Sequence, residues 1–127
     1  MNDSKTTLQE LKNLAIKLAD DRDWGQFHSP KNLAIDISVE ASELMEIFIW
    51  CTTQDSGAVA DKNRSEVEQE LADVLIAAFL FANKTNIDIA QAVKKKLQLI
   101  EQRYPVHLAK GSSTKYTKLH ESDLESK

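Results

Sequence analysis

Glycine and proline are scarce in this sequence, with three Gly and two Pro among 127 residues. Antiparallel sandwiches and barrels need many tight turns, and those turns draw on Gly, Pro and Asn. The shortage excludes a turn-rich β fold and points to a few long helices joined by few connections. A single cysteine, Cys51, excludes an internal disulfide and a thiolate zinc cluster, and fits a reducing compartment. Long apolar runs are also missing. The longest, 74–82, has nine residues, against about 20 for a bilayer span. The opening MNDSKTTLQELKN lacks the apolar stretch of a secretory signal. The expected setting is cytoplasmic, with no membrane partner. Basic residues number 16 against 20 acidic ones, a net charge of −4. That balance argues against duplex nucleic acid as a partner, because phosphate contact needs a basic face.

What is present is helical periodicity in a chain of one-domain size. Leu8, Leu11, Leu14, Ala15, Leu18 and Ala19 mark a helix over about 6–22. Ser29 as a cap and Pro30 as the first helical residue open a second, over about 30–50, striped by Leu33, Ala34, Ile37, Ala41, Leu44 and Phe48. A polar stretch, 52–63, reads as a solvated loop. The third helix, 64–84, is apolar on both sides towards its C-terminal half, which implies burial against another subunit. A fourth, about 87–103, begins at Asn86 or Asp88 and stops before Pro105. Residues 1–108 form the expected all-α domain, and 109–127 a polar tail expected to be extended or flexible.

The acids fall in a pattern. The second helix carries Glu40 and Glu43, with Glu46 three further on. The third carries Glu70 and Asp73, with Glu66 one turn earlier. Residues three apart share a helix face, so each pair can aim two carboxylates at one point. Both pairs border apolar stripes. One such pair is ordinarily a solvated face; two on consecutive helices suggest a shared site. Two like charges 4 Å apart repel by about 4 kcal/mol at an effective dielectric of 20, so clustered carboxylates call for protons or a cation. Hard oxygen ligands suit Mg²⁺, with Mn²⁺ as a substitute. A di-iron bundle needs Glu-x-x-His on its helices, and His28, His107 and His120 do not supply that spacing.

Taken in order, residues 22–33 (R-D-W-G-Q-F-H-S-P-K-N-L), then Glu40-x-x-Glu43-Leu44-x-Glu46-x-Phe48-x-Trp50, then Glu70-Leu71-x-Asp73-Val74-Leu75-Ile76 resemble the MazG-like all-α nucleoside triphosphate pyrophosphohydrolases, closest to the dCTP pyrophosphatase branch. Lys96, Arg103-Tyr104-Pro105-Val106-His107-Leu108, Ser112-Ser113 and Lys115-Tyr116-Thr117 look like that branch's closing segment. The likeness covers about residues 8–119.

The resemblance implies a four-helix bundle completed by oligomerisation, as a homodimer or a dimer of dimers (a homotetramer) with sites at subunit interfaces. It implies hydrolysis of a (deoxy)nucleoside triphosphate to the monophosphate and pyrophosphate in nucleotide-pool housecleaning. It makes Glu40, Glu43, Glu70 and Asp73 the Mg²⁺ ligands. Glu46 or a ligand carboxylate takes the proton of the attacking water. Trp24 and Trp50 line the base site, and Lys96 and Arg103 contact phosphate. Phe27 and Phe48 read as core, and His28 and Asn32 as local structure. A helix over 30–50 is about 30 Å long, so Trp24 and Trp50 reach one pocket only by a folded-back loop or a second chain. The dCTP-specific relatives carry a histidine where this chain has Ala15, an aromatic where it has Ala77, and often an Asn where it has Ile100. The alternative is a non-catalytic nucleotide- and Mg²⁺-binding oligomeric module, which has less need of all four acids.

Overall fold

Helix boundaries in this chain follow its capping residues. A computed structural model describes residues 1–125, and among them it contains helices and connections but no strand. Thr7 and Glu10 form a capping box at the start of α1 (Leu8–Asp20): the Thr7 N–H donates to Glu10 Oε2 at 2.6 Å, and the Glu10 N–H donates to Thr7 Oγ1 at 3.2 Å. A 3-10 turn, Trp24–Gln26, follows. Ser29 caps α2 (Pro30–Glu46) by accepting from the Asn32 N–H at 3.1 Å, with Pro30 at the first position. The Asn32 side chain donates back to the Phe27 carbonyl at 3.0 Å, a structural role. A short α3 (Ser56–Lys62) precedes the long α4 (Arg64–Lys84).

The end of α4 is closed by Asn86 in the left-handed region, φ 56°. The Ile87 N–H reaches the Ala82 carbonyl at 2.9 Å, and the Asn86 N–H the Asn83 carbonyl at 3.3 Å. These two bonds are the Schellman pattern that satisfies terminal carbonyls. Asp88 then caps α5 (Ile89–Arg103) by accepting from the Gln91 N–H at 2.9 Å. The chain ends in α6 (Val106–Ala109) and α7 (Tyr116–Glu125).

The chain forms two compact units, Met1–Ile87 and a second from Asp88 onward. In the first, α2 packs most extensively on α4, and α1 packs on α4 as well. The deepest positions are Leu33, 2% exposed, and a set dominated by alanine: Ala15, Ala19, Ala77 and Ala82, with Phe79. Small side chains at these positions let the helices approach closely. In the second unit α6 packs on α7. The Tyr104 and Tyr116 rings meet edge-on at 5.9 Å, and Leu119 is buried.

Several expectations change. The polar stretch 52–63 contains α3, because Thr52 and Asp55 bond each other and set up the turn, while Val59 and Ala60 give a half-buried face. The second helix stops at Glu46, four residues before Trp50. Phe27 is 62% exposed and is not core. Residues 116–125 are helical where composition suggests an extended tail, and residues 126–127 of that stretch lie outside the described residues.

Candidate active site

The α2–α4 contact brings the two acidic motifs together. One oxygen from each of Glu40, Glu43 and Glu70 lies within 4.8 Å of the others. Glu40 and Glu70 are half-buried and Glu43 is exposed. Asp73 is exposed and stands outside that triad, yet its charge acts on both Glu40 and Glu70.

The electrostatics are unfavourable for bare carboxylates. Desolvation pushes the Glu40 carboxyl up from its ordinary value of 4.5, and Glu43, Asp36, Asp73 and Glu70 add repulsion. Desolvation likewise raises Glu70, reinforced by Glu43, Asp73 and Glu66. Oε2 of Glu70 is buried without a hydrogen-bond partner. Among the described residues the ion pairs are Lys17–Asp21 and Arg64–Glu68, both exposed, and neither reaches the cluster. A buried, unpaired carboxylate oxygen is costly unless a cation or proton meets it. Three converging carboxylates, one of them with an unsatisfied oxygen, fit a hard divalent cation.

Beside the triad a polar cavity of about 380 Å³ is lined by Glu43, Glu46, Glu66 and Glu70, together with Ser42, Ile47 and Asn63. Glu46 therefore faces the same space from the last residue of α2. Asp36, Ser42 and Asn63 are additions to the sequence reading. Asp36 had a signal, being one turn before Glu40; Ser42 and Asn63 had none.

The other candidates lie on different elements. Trp24 sits on the 3-10 turn, 42% exposed, with the Arg22 guanidinium 5.5 Å from its ring centroid. Trp50 follows α2 and is 92% exposed. Lys96 and Arg103 lie on α5 in the second unit. Lys96 is exposed; Arg103 is half-buried, its guanidinium 4.7 Å from the Tyr116 ring centroid. Ala15 and Ala77 are both buried, and Ala15 joins Leu14, Leu18, Ile76 and Phe79 in lining an apolar cavity of about 240 Å³ between α1 and α4.

Comparison with known proteins places the chain among relatives. The MazG-like family matches residues 35–119. The dCTP pyrophosphatase 1 of Mus musculus is 42% identical over 115 residues, covering 89% of this chain and 68% of that protein. The dCTP pyrophosphatase 1 of Homo sapiens is 39% identical with the same coverage. The crystal structure of a pyrophosphatase from Archaeoglobus fulgidus superposes with a TM-score of 0.76 at 36% identity, over 83% of this chain and 98% of that one. Sequence, helix order and family match agree: the chain belongs to the MazG-like family.

Proposed function

We propose that this chain hydrolyses a (deoxy)nucleoside triphosphate to the monophosphate and pyrophosphate at the carboxylate cluster, with Mg²⁺, or Mn²⁺ in its place, held by Glu40, Glu43, Glu70 and Asp73. The observation that carries the reading is the convergence of Glu40, Glu43 and Glu70, with Oε2 of Glu70 buried and unpartnered. Its chemistry asks for a cation, and a nucleoside triphosphate is a ligand that arrives with oxygens to share one. The names of the relatives supply the substrate class.

A bound divalent cation supplies positive charge against the phosphoryl oxygens and the leaving pyrophosphate. The chain's own groups do the rest. Glu46, exposed beside the cavity, accepts the proton of the water that attacks the α-phosphorus. Lys96 and Arg103 contact phosphate oxygens. Trp24 and Trp50 stack the base, each worth about 1–3 kcal/mol. Small residues at 15 and 77 widen the base site, so the substrate range takes in a purine triphosphate beside dCTP. Strict preference for dCTP over dATP and dTTP would defeat that last point.

A second copy completes the molecule, as a dimer or a dimer of dimers. Leu14, Leu18, Leu71, Leu75 and Ile76 are exposed on α1 and α4, an apolar surface that water does not favour. No helix among the described residues is long and apolar enough to cross a membrane, and the proposed setting is the cytoplasm.

The test is pyrophosphate release from a nucleotide panel with Mg²⁺, for wild type and Glu43→Gln. Loss of a cation ligand removes several kcal/mol of charge stabilisation, an expected fall of about a hundred-fold or more. EDTA abolishes turnover, and Mg²⁺ or Mn²⁺ restores it. Undiminished activity in Glu43→Gln would remove the carboxylates from the reaction. Mg²⁺-dependent nucleotide binding without any pyrophosphate release would instead mark a binding module.

A further inference from the structure

Arg22 and Trp24 are joined by more than their order in the chain. The Arg22 Nη1 donates to the Leu18 carbonyl at 3.0 Å, while the Arg22 N–H turns to Ala19 at 3.2 Å. One side chain thus closes a carbonyl at the end of α1 and places its guanidinium 5.5 Å from the Trp24 ring centroid. Between them Asp23 holds a left-handed conformation, φ 53°. Gln26 fixes that residue by donating to the Asp23 carbonyl at 3.0 Å and to Oδ2 at 3.1 Å. The turn is therefore clamped on both sides of the indole, which remains 42% exposed.

We infer that Arg22 is a positioning residue that presets the Trp24 ring plane for the substrate base. The inference rests on the base-stacking role proposed above for Trp24. An indole on a three-residue turn otherwise rotates about two side-chain bonds, and ordering it on binding weakens affinity. A planar guanidinium stacks on a ring while still donating a hydrogen bond, which a lysine ammonium does less well. A cation on an exposed ring supports about a two- to five-fold effect on binding.

The experiment measures KM and kcat for dCTP with Mg²⁺ in wild type, Arg22→Ala, Arg22→Gln, Arg22→Lys, Trp24→Leu and the Arg22→Ala/Trp24→Leu pair. Arg22→Ala is expected to raise KM about two- to five-fold with kcat little changed. Arg22→Lys recovers part of the loss. Arg22→Gln, which keeps a donor for Leu18, shows the KM rise with a native melting temperature and stands in if the alanine variant fails to fold. In the Trp24→Leu background Arg22→Ala adds nothing. Independent of turnover, Trp24 as the sole tryptophan in Trp50→Phe loses fluorescence anisotropy when Arg22 is replaced. If Trp24→Leu raises KM and the Arg22 variants do not, or if the two effects multiply, the positioning role is overturned and the base site stands. If Trp24→Leu leaves KM unchanged, the base-site reading of Trp24 falls and the proposal falls with it.

Discussion

Oε2 of Glu70 is buried with no donor, and both Glu70 and Glu40 are held above 4.5 by desolvation and neighbouring acids. A carboxyl raised in the folded chain favours folding while it is protonated, and that contribution is lost as pH rises through its folded-state value. In EDTA the thermal midpoint is therefore expected to fall as pH increases from 4.5 upward, and added Mg²⁺ is expected to cancel the fall. Glu40→Gln flattens the EDTA curve. Calorimetry across this range with and without Mg²⁺ checks the sign, and a flat curve in EDTA would contradict it. Glu10 works in the opposite direction. Its bonds from Thr7 lower its carboxyl, so its contribution is present above 4.5 and lost as pH falls through the lowered value. The two effects occupy different pH windows and can be read separately.

Helices α1, α2, α4 and α5 were legible from their apolar periodicity, with α2 and α5 also marked by the caps Ser29 and Asp88, and the limits of α4 coincide with the expected 64–84. The approach of Glu40, Glu43 and Glu70 was legible from 3-residue spacing on two helices, which fixes a shared face once those helices pack, whereas Asp73 lies outside that triad. What escaped is instructive. In α3 the helix rests on a Thr52–Asp55 turn and a brief Val59–Ala60 face, too short to show a period. In α7 the anchors are isolated, with Tyr116 against Tyr104 and Leu119 buried, so no stripe appears. Phe27 is exposed although large and apolar, at the end of the Trp24–Gln26 turn rather than on a packed helix face. Leu33 shows how much one element depends on one residue. It is 2% exposed near the start of α2, and Leu33→Ala is expected to cost about 2–5 kcal/mol in urea unfolding, through lost burial and the cavity left behind. A cost below 1 kcal/mol would mean that the helices close over the gap.

The chain divides its charge as it divides its fold. Residues 1–87 hold 8 basic and 15 acidic side chains, and residues 88–127 hold 8 basic and 5 acidic. The acid excess thus lies in the unit that carries Glu40, Glu43 and Glu70, and the second unit is net basic. The apolar surface of α1 and α4 sets the expectation for assembly. Light scattering at micromolar concentration is expected to give a dimer or tetramer, and Leu71→Asp with Leu75→Asp is expected to shift it to monomer. A wild-type monomer would remove the second copy from the proposal. Trp50 then acquires a meaning that its position alone does not suggest. A ring 92% exposed on its own chain serves a base only where another surface closes over it. If that surface is a second copy, catalytic competence becomes a property of concentration: turnover per chain falls on dilution, and the amount of enzyme in the cell sets not only how many sites exist but what fraction of them is whole.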